Sequence, residues 1–474
     1  MASSARIEST AVVQAADKPT VNVIPLSDND NGMVRVYIQM CFFYQHPSMG
    51  ESEKAGWKFM EENRLREGLR RALCYFPELC GRLHVLPDGS LEVACSNRGV
   101  QWVSATLAGE MTELSRRGFP QQLLPDNVLT VAPSSLLTDE DKESDFLLKL
   151  QHTRYLGDGS VLLAIAVHHA VVDADGAFRF LNCWAAHCRN PDSSALLRQQ
   201  PLSDRSVYRG RAGAPLLPHP ELQLRSQIPP EMLQESQQRE AVLRPQLCAR
   251  TYYASRQRLS QLKQRILRQL PEEAFVSTND AVCGLLWRMA VKHRGVEAEK
   301  EVKMLMACNG RSRSRPSLPP SYIGNANFFV RVVCSARDIA SASSDGAATA
   351  ARLIRTGVKS ITPEWIQSSL DWVASQSNKS DIVPGFRLFA DEDLAITTWS
   401  GFPVYSVDFG DGRPASFRIP AKAFNNLAIL FPAPPHNDEE EQGEDMEITL
   451  GFTVKQLDAI QQDEEFSSCF SLIA

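Results

Sequence analysis

Gly157-Asp158-Gly159-Ser160-Val161-Leu162-Leu163-Ala164-Ile165-Ala166-Val167-His168-His169-Ala170-Val171-Val172-Asp173-Ala174-Asp175-Gly176 is the stretch on which the reading of this chain turns. Asp-Gly tolerates the positive φ of a tight turn, so residues 157–160 predict a hairpin between residues 146–155 and 161–169. The second strand of that hairpin is uninterruptedly apolar and is expected to be buried on both faces. It ends in a His-His pair, and a helix-like segment follows over residues 177–188. An imidazole at the exit of a buried strand titrates near neutral pH and suits general-base work. A hydrogen-bonded structural pair of histidines is the equal alternative on spacing alone. Read as a metal site, the pair lacks the H-E-x-x-H pattern, and adjacent strand residues point to opposite faces, so metal is not expected.

Outward from this stretch, Pro87-Asp88-Gly89-Ser90 predicts a second hairpin between residues 81–86 and 91–95. Helical spacing runs through residues 54–75, with Trp57, Met60, Leu65, Leu69 and Leu73 on one face. Thr278 or Asn279 is expected to cap a helix through Leu285, Leu286, Trp287 and Met289, and Pro363 to open one through Trp365, Ile366, Leu370 and Trp372. Strands and helices mix without a regular βαβ repeat, which argues for an α/β fold of the mixed α+β kind. At 474 residues, two domains of about 200 residues each are the default. Pro, Gln, Arg and Ser dominate residues 198–244, which marks the linker. The divisions are therefore 1–200, a crossover linker at 201–245, and 246–474. The acidic residues 434–445 read as a solvated hairpin tip.

Composition narrows the class. Hydrophobic residues make up 43% and charged residues 22%, and the formal net charge is −6, so nothing draws the chain to nucleic acid or an anionic membrane. Arg311, Arg313 and Arg315 cluster locally and read equally well as a solvated loop. The eleven cysteines show no CxxC or zinc-ligand spacing. Cys183 and Cys188 are expected to pack on a helix. Residues 1–18 lack the apolar core of a signal peptide, and no window reaches 18 uninterrupted apolar residues. A cytoplasmic monomer is expected.

His169 and Asp173 fit an H-x-x-x-D spacing, and with Gly176 the run resembles the H-x-x-x-D-G-x-G signature of the BAHD acyltransferases. Four further segments resemble that family in its order: residues 73–83 (LCYFPELCGRL), residues 277–281 leading to Leu286-Trp287-Arg288, residues 309–313 with Tyr322-Ile323-Gly324-Asn325, and Thr397-Thr398-Trp399 through Phe402-Pro403 to Asp408-Phe409-Gly410-Asp411-Gly412. Within the family the chain resembles a fungal-type member, similar to the trichothecene acetyltransferase branch. Two positions depart: Ala174 replaces the first glycine of the signature, and Asp411 replaces a tryptophan, which puts local packing in question.

The resemblance implies two similar-sized chloramphenicol-acetyltransferase-like domains, each with a mixed sheet, and a tunnel between them. It implies transfer of an acyl group from acyl-coenzyme A, a co-substrate rather than a resident cofactor, to a hydroxyl or amine of a small secondary metabolite. His169 would be the general base. Asp173 would turn away from it and support the loop by pairing with an arginine, by position Arg311. Thr397 and Trp399 would line the acceptor pocket, with the Trp399 N–H a candidate oxyanion donor. Lys263, Ser277, Thr278 and Arg413 are candidates for coenzyme A, and Asp408, Gly410 and Gly412 for shaping the fold. Asp175 is expected to cap the helix after the motif. Amide formation or cyclisation from carrier-bound donors, as in condensation domains, and a non-catalytic binding protein of the same fold are the competing readings.

Overall fold

The computed structural model describes residues 4–47, 58–125, 127–129, 145–190, 200–211, 213–341, 345–387, 389–420, 425–435 and 445–473. Two large mixed sheets organise them. The first runs in the order Arg6–Val13, Val100–Leu107, Leu148–Tyr155, Val161–His168, Tyr37–Tyr44 and Ser416–Arg418. The second runs Asn327–Ser335, Glu301–Asn309, Asp393–Thr398, Leu427–Pro432, Met446–Thr453, Leu247–Ala254 and Ser471–Leu472. Each contains both parallel and antiparallel pairs, so the mixed α/β class expected from the sequence holds.

Both Asp-Gly hairpins form, with Gly89 and Gly159 each at φ +74. All eight residues of Val161–His168 are buried, because the strand lies between two neighbours and is covered on both faces. The helices Glu62–Ala72 and Ala174–Arg189 cover one face, where Cys183 and Cys188 are buried in the core. Thr278–Arg294 and Gly346–Ser360 pack into the core of the second sheet.

Several local expectations are corrected. The helix expected over 54–75 begins at Glu62, since Met60 takes φ +46, a left-handed conformation no helix continues through; residues 54–57 lie outside the described residues. The cap of Thr278–Arg294 is Ser277, one residue before the expected position, in a capping box with Asp280. The Pro-rich stretch after residue 200 is not bare linker. It pairs Leu222–Leu224 with Ile382–Pro384 and forms the helix Pro230–Leu243, none of whose residues is buried, which is why apolar periodicity did not mark it. Of the acidic tip, residues 436–444 lie outside the described residues; the flanking strands pair antiparallel.

Residues 399–419 cross back to the first half. Trp399, Val404, Tyr405, Val407, Phe409 and Phe417 join the core under the first sheet, and Ser416–Arg418 pairs with Cys41–Phe43 as its edge strand. The Tyr44 hydroxyl donates to the Val407 carbonyl at 2.7 Å. Buried Arg418 donates to Glu447 of the second sheet at 2.6 Å and to the Phe119 carbonyl at 2.7 Å, tying the two halves together.

Candidate active site

The buried strand delivers two histidines to different environments. His168 donates its backbone N–H to Leu147 and His169 donates to Val36, each at 2.8 Å, and the chain then turns. The His168 ring is buried edge-on to Tyr37 at 5.1 Å, with Nδ1 accepting from the Ala170 N–H at 3.3 Å. Burial, helped by the neighbouring His169 and Arg35, pushes its pKa down to about 3, so it stays neutral. His169 instead borders a cavity of about 340 Å³ between the halves.

His169 Nδ1 lies 3.1 Å from Asn325 Oδ1. The identity of that amide atom follows from its partners. Asn325 Nδ2 donates to Asp30 Oδ1 at 2.8 Å and to the His169 carbonyl at 2.8 Å, so both its N–H bonds are used and the oxygen must face the ring. Nδ1 therefore carries the proton and Nε2 is left as the base. Asp30 is held in turn. Its Oδ1 also accepts from the Asn325 backbone at 3.0 Å, its Oδ2 accepts from Ser27 N and Oγ at 2.9 and 2.6 Å, and buried Arg205 stands 3.6 Å away. Burial holds the His169 ring below the ordinary imidazole range, partly offset by its hydrogen bonds and the Asp173 and Asp30 carboxylates.

Asp173 makes no hydrogen bond to His169. Its carboxylate takes Arg311 in a bidentate pair, at 2.8 and 2.9 Å, and the backbone N–H groups of Gly176 and Ala326, both at 3.0 Å. Burial alone would raise this carboxyl, but Arg311 and the two amides hold it below its ordinary value. Asp173, not Asp175, is the cap of Ala174–Arg189; Asp175 pairs with Arg179 at 2.5 Å. Arg311 is buried, so the solvated-loop reading of the arginine cluster fails there, and Arg313 donates to the Val358 carbonyl at 2.9 Å. Gly176 is required because a Cβ would stand 2.3 Å from the Ile323 carbonyl oxygen, whereas Ala174 sits as an ordinary first residue of the helix.

Thr397 and Trp399 both line the cavity. The Trp399 indole is buried against Phe178, Phe402 and Phe417, with ring centroids 6.0 to 6.3 Å away. The four residues considered for coenzyme A stand elsewhere. Ser277 spends its hydroxyl on Asp280, Thr278 opens that helix, and Lys263 lies over the Phe275 ring at 5.7 Å. Arg413 is exposed beyond the 408–412 turn. Asp408 Oδ1 accepts from Gly410 and Gly412 at 2.7 and 3.0 Å, with φ +103 and +99 at the two glycines. Asp411 fills the place of the family's tryptophan with a fully buried carboxylate paired to Arg64, and accepts from the Met60 N–H at 3.1 Å.

Asp30, Gln39 and Asn327 were not legible as site residues from the sequence, and Asn309 and Asn325 stood only within family-like segments with no role assigned. A Ser27-x-x-Asp30 capping box and the Tyr322–Asn325 segment were the available signals, but neither shows that their side chains meet across 295 residues.

The sequence profile of the Transferase family matches residues 4–467. The chain belongs to the BAHD acyltransferase family. This BAHD protein is 28% identical to hydroxycinnamoyltransferase 2 of Oryza sativa subsp. japonica, over 90% of this chain and 92% of the relative. It is 28% identical to shikimate O-hydroxycinnamoyltransferase of Nicotiana tabacum, over 91% and 94%. Its fold is shared with the crystal structure of F. sporotrichioides TRI101 complexed with coenzyme A and T-2 (TM-score 0.74, 17% identity, 96% of this chain and 100% of the other). Vinorine synthase shares it too (TM-score 0.67, 18% identity, 99% of both chains).

Proposed function

We propose that this BAHD protein moves an acyl group from an acyl-coenzyme A to a hydroxyl or amine of a small-molecule acceptor, with His169 as general base. The observation that carries this reading is the Asn325 amide, which fixes the imidazole proton on Nδ1 and leaves Nε2 as the base of a cavity-lining ring. His169 takes the acceptor proton as the acceptor oxygen or nitrogen bonds to the acyl carbon. The carbon–sulfur bond breaks, and the imidazolium returns that proton to the departing thiolate. A thiolate leaves readily (pKa about 8.5 for a simple thiol), so the chemistry needs a base more than an acid. Asp173 anchors the loop, Trp399 supplies an apolar wall and an N–H for the oxyanion, and Thr397 faces the acceptor. Names of relatives such as shikimate O-hydroxycinnamoyltransferase and putrescine hydroxycinnamoyltransferase 1 support O- and N-acylation as the range. Lys263, Ser277, Thr278 and Arg413 are proposed for the nucleotide end of coenzyme A, outside the cavity. Eleven free thiols support work in a reducing compartment such as the cytosol.

The test is thiol release from a panel of acyl-coenzyme A donors with alcohol and amine acceptors. His169→Ala should lower kcat about 10²–10⁴-fold with an unchanged melting curve. Undiminished release from that variant would falsify the general-base assignment. Trp399→Phe keeps the ring and deletes the N–H; a fall in kcat at constant KM is expected, and no fall removes Trp399 from the oxyanion role.

A further inference from the structure

The cavity beside His169 has apolar walls, among them Met33, Val36, Phe329, Phe386 and Phe402. Neutral polar side chains are set into those walls, and three of them, Gln39, Asn327 and Thr397, stand out. Gln39 comes from Tyr37–Tyr44, past the last residue on which Ser416–Arg418 pairs. Asn327 opens the edge strand Asn327–Ser335, and Thr397 ends toward the cavity from Asp393–Thr398. None of the three side chains makes a hydrogen bond to another described residue. They are donors and acceptors with capacity to spare on a mostly apolar surface.

The charged side chain in the described lining is Arg311, and both its terminal nitrogens are bound to Asp173. A carboxylate or ammonium brought to this cavity would be stripped of water without gaining a counter-charge, which is strongly unfavourable. A hydroxyl or carbonyl would meet the amides of Gln39 and Asn327 and the hydroxyl of Thr397. The volume, about 340 Å³, suits a compact polycyclic or aromatic body.

We infer that the acceptor bound beside His169 is an uncharged molecule with an apolar body and two or more oxygen functions, read by Gln39, Asn327 and Thr397. The inference rests on the acyl-transfer reading and sharpens it. It sets this protein apart from relatives whose names print shikimate or putrescine, one a carboxylate and the other a diamine.

The experiment compares acceptors that differ by one charge and one methyl group: gibberellic acid with its methyl ester, and shikimate with methyl shikimate, with acetyl- and p-coumaroyl-coenzyme A as donors. Each ester should exceed its acid in kcat/KM by about 100-fold or more, the penalty of one unpaired buried charge. Gln39→Leu and Asn327→Leu should each raise KM for the esters about 3- to 10-fold and leave kcat within about twofold. Acids or putrescine used as well as the esters overturn the inference while leaving acyl transfer intact. If no acceptor releases thiol, calorimetric binding to the His169→Ala protein decides separately. Preference for the esters upholds the inference and discards the transfer reading; equal binding, preference for the acids, or no ester binding at millimolar concentration overturns it.

Discussion

With both N–H bonds of the Asn325 amide taken, its oxygen has one direction left, and the imidazole proton of His169 follows it. Asn325→Ala frees the ring to carry its proton on either nitrogen, and kcat should fall about 10- to 100-fold with KM unchanged. Asn325→Asp places a carboxylate on Nδ1, which favours the imidazolium. Because the base must be neutral, the acid limb of the kcat/KM profile should then move to higher pH; a profile that stays in place would show that Asn325 does not tune the ring. In the native protein burial holds the His169 pKa below its ordinary value, so activity should persist through slightly acidic pH and fall only as the ring protonates. Asp173 acts at the same scale but on stability. Asp173→Ala leaves buried Arg311 uncompensated and should lower unfolding free energy by about 3–5 kcal/mol, read from urea midpoints. Arg311→Met in the same chain should restore part of the loss, as coupled pairs do.

At the scale of elements, the paired strands Leu148–Tyr155 and Val161–His168 each bury a neutral histidine. Burial pushes His152 down to about 4 and His168 to about 3. In the unfolded chain both return to the ordinary value near 6.5. As pH falls from about 6.5 toward 4 the unfolded chain therefore binds protons that the folded one refuses, and stability declines. Urea midpoints at pH 7.5 and 5 should show this, and His168→Gln should flatten the slope. The 408–412 turn supports a second element-scale test. Asp411→Trp restores the family's residue but removes the counter-ion of Arg64, and should destabilise the fold by about 3 kcal/mol in the same assay. These elements were legible in the sequence to different depths. Asp-Gly turns and the eight-residue apolar run announce themselves locally, so the hairpin leading to His169 could be read. The pairing of Asp173 with Arg311, 138 residues away, was legible only through the family resemblance, and the capping role fell to Asp173 rather than to the expected Asp175. Asp30, Asn325 and Arg205 converge for a reason no local pattern carries: each is an ordinary polar residue until the fold brings the others to it.

For the whole molecule, the two halves share structure beyond the 201–245 stretch. Residues 399–419 supply aromatic core and an edge strand to the first sheet, and Arg418 bonds across to Glu447. A strand as short as Ser416–Arg418 carries no sequence period, so this crossing left no trace in the pattern. Residues 1–200 expressed alone should lack a cooperative unfolding transition and expose apolar surface to a dye such as ANS. Adding residues 246–474 should restore some cooperativity if the halves meet before aggregating. A sharp transition from 1–200 alone would show that the borrowed strand is dispensable.

The same borrowed strand sets a timetable during synthesis. The strand Tyr37–Tyr44 meets its neighbour once His168 has left the ribosome, but its other edge must wait for Arg418. At ~5–20 residues per second, the intervening stretch of about 250 residues takes roughly 12–50 seconds. Throughout that interval the nascent chain carries an open edge at Cys41-Phe42-Phe43, three side chains fully buried in the finished protein. An unpaired apolar edge of this kind invites pairing with other chains. Yield should consequently depend on elongation rate and on holdase chaperones more than equilibrium stability suggests, and slowing translation between residues 168 and 418 should shift product into the insoluble fraction.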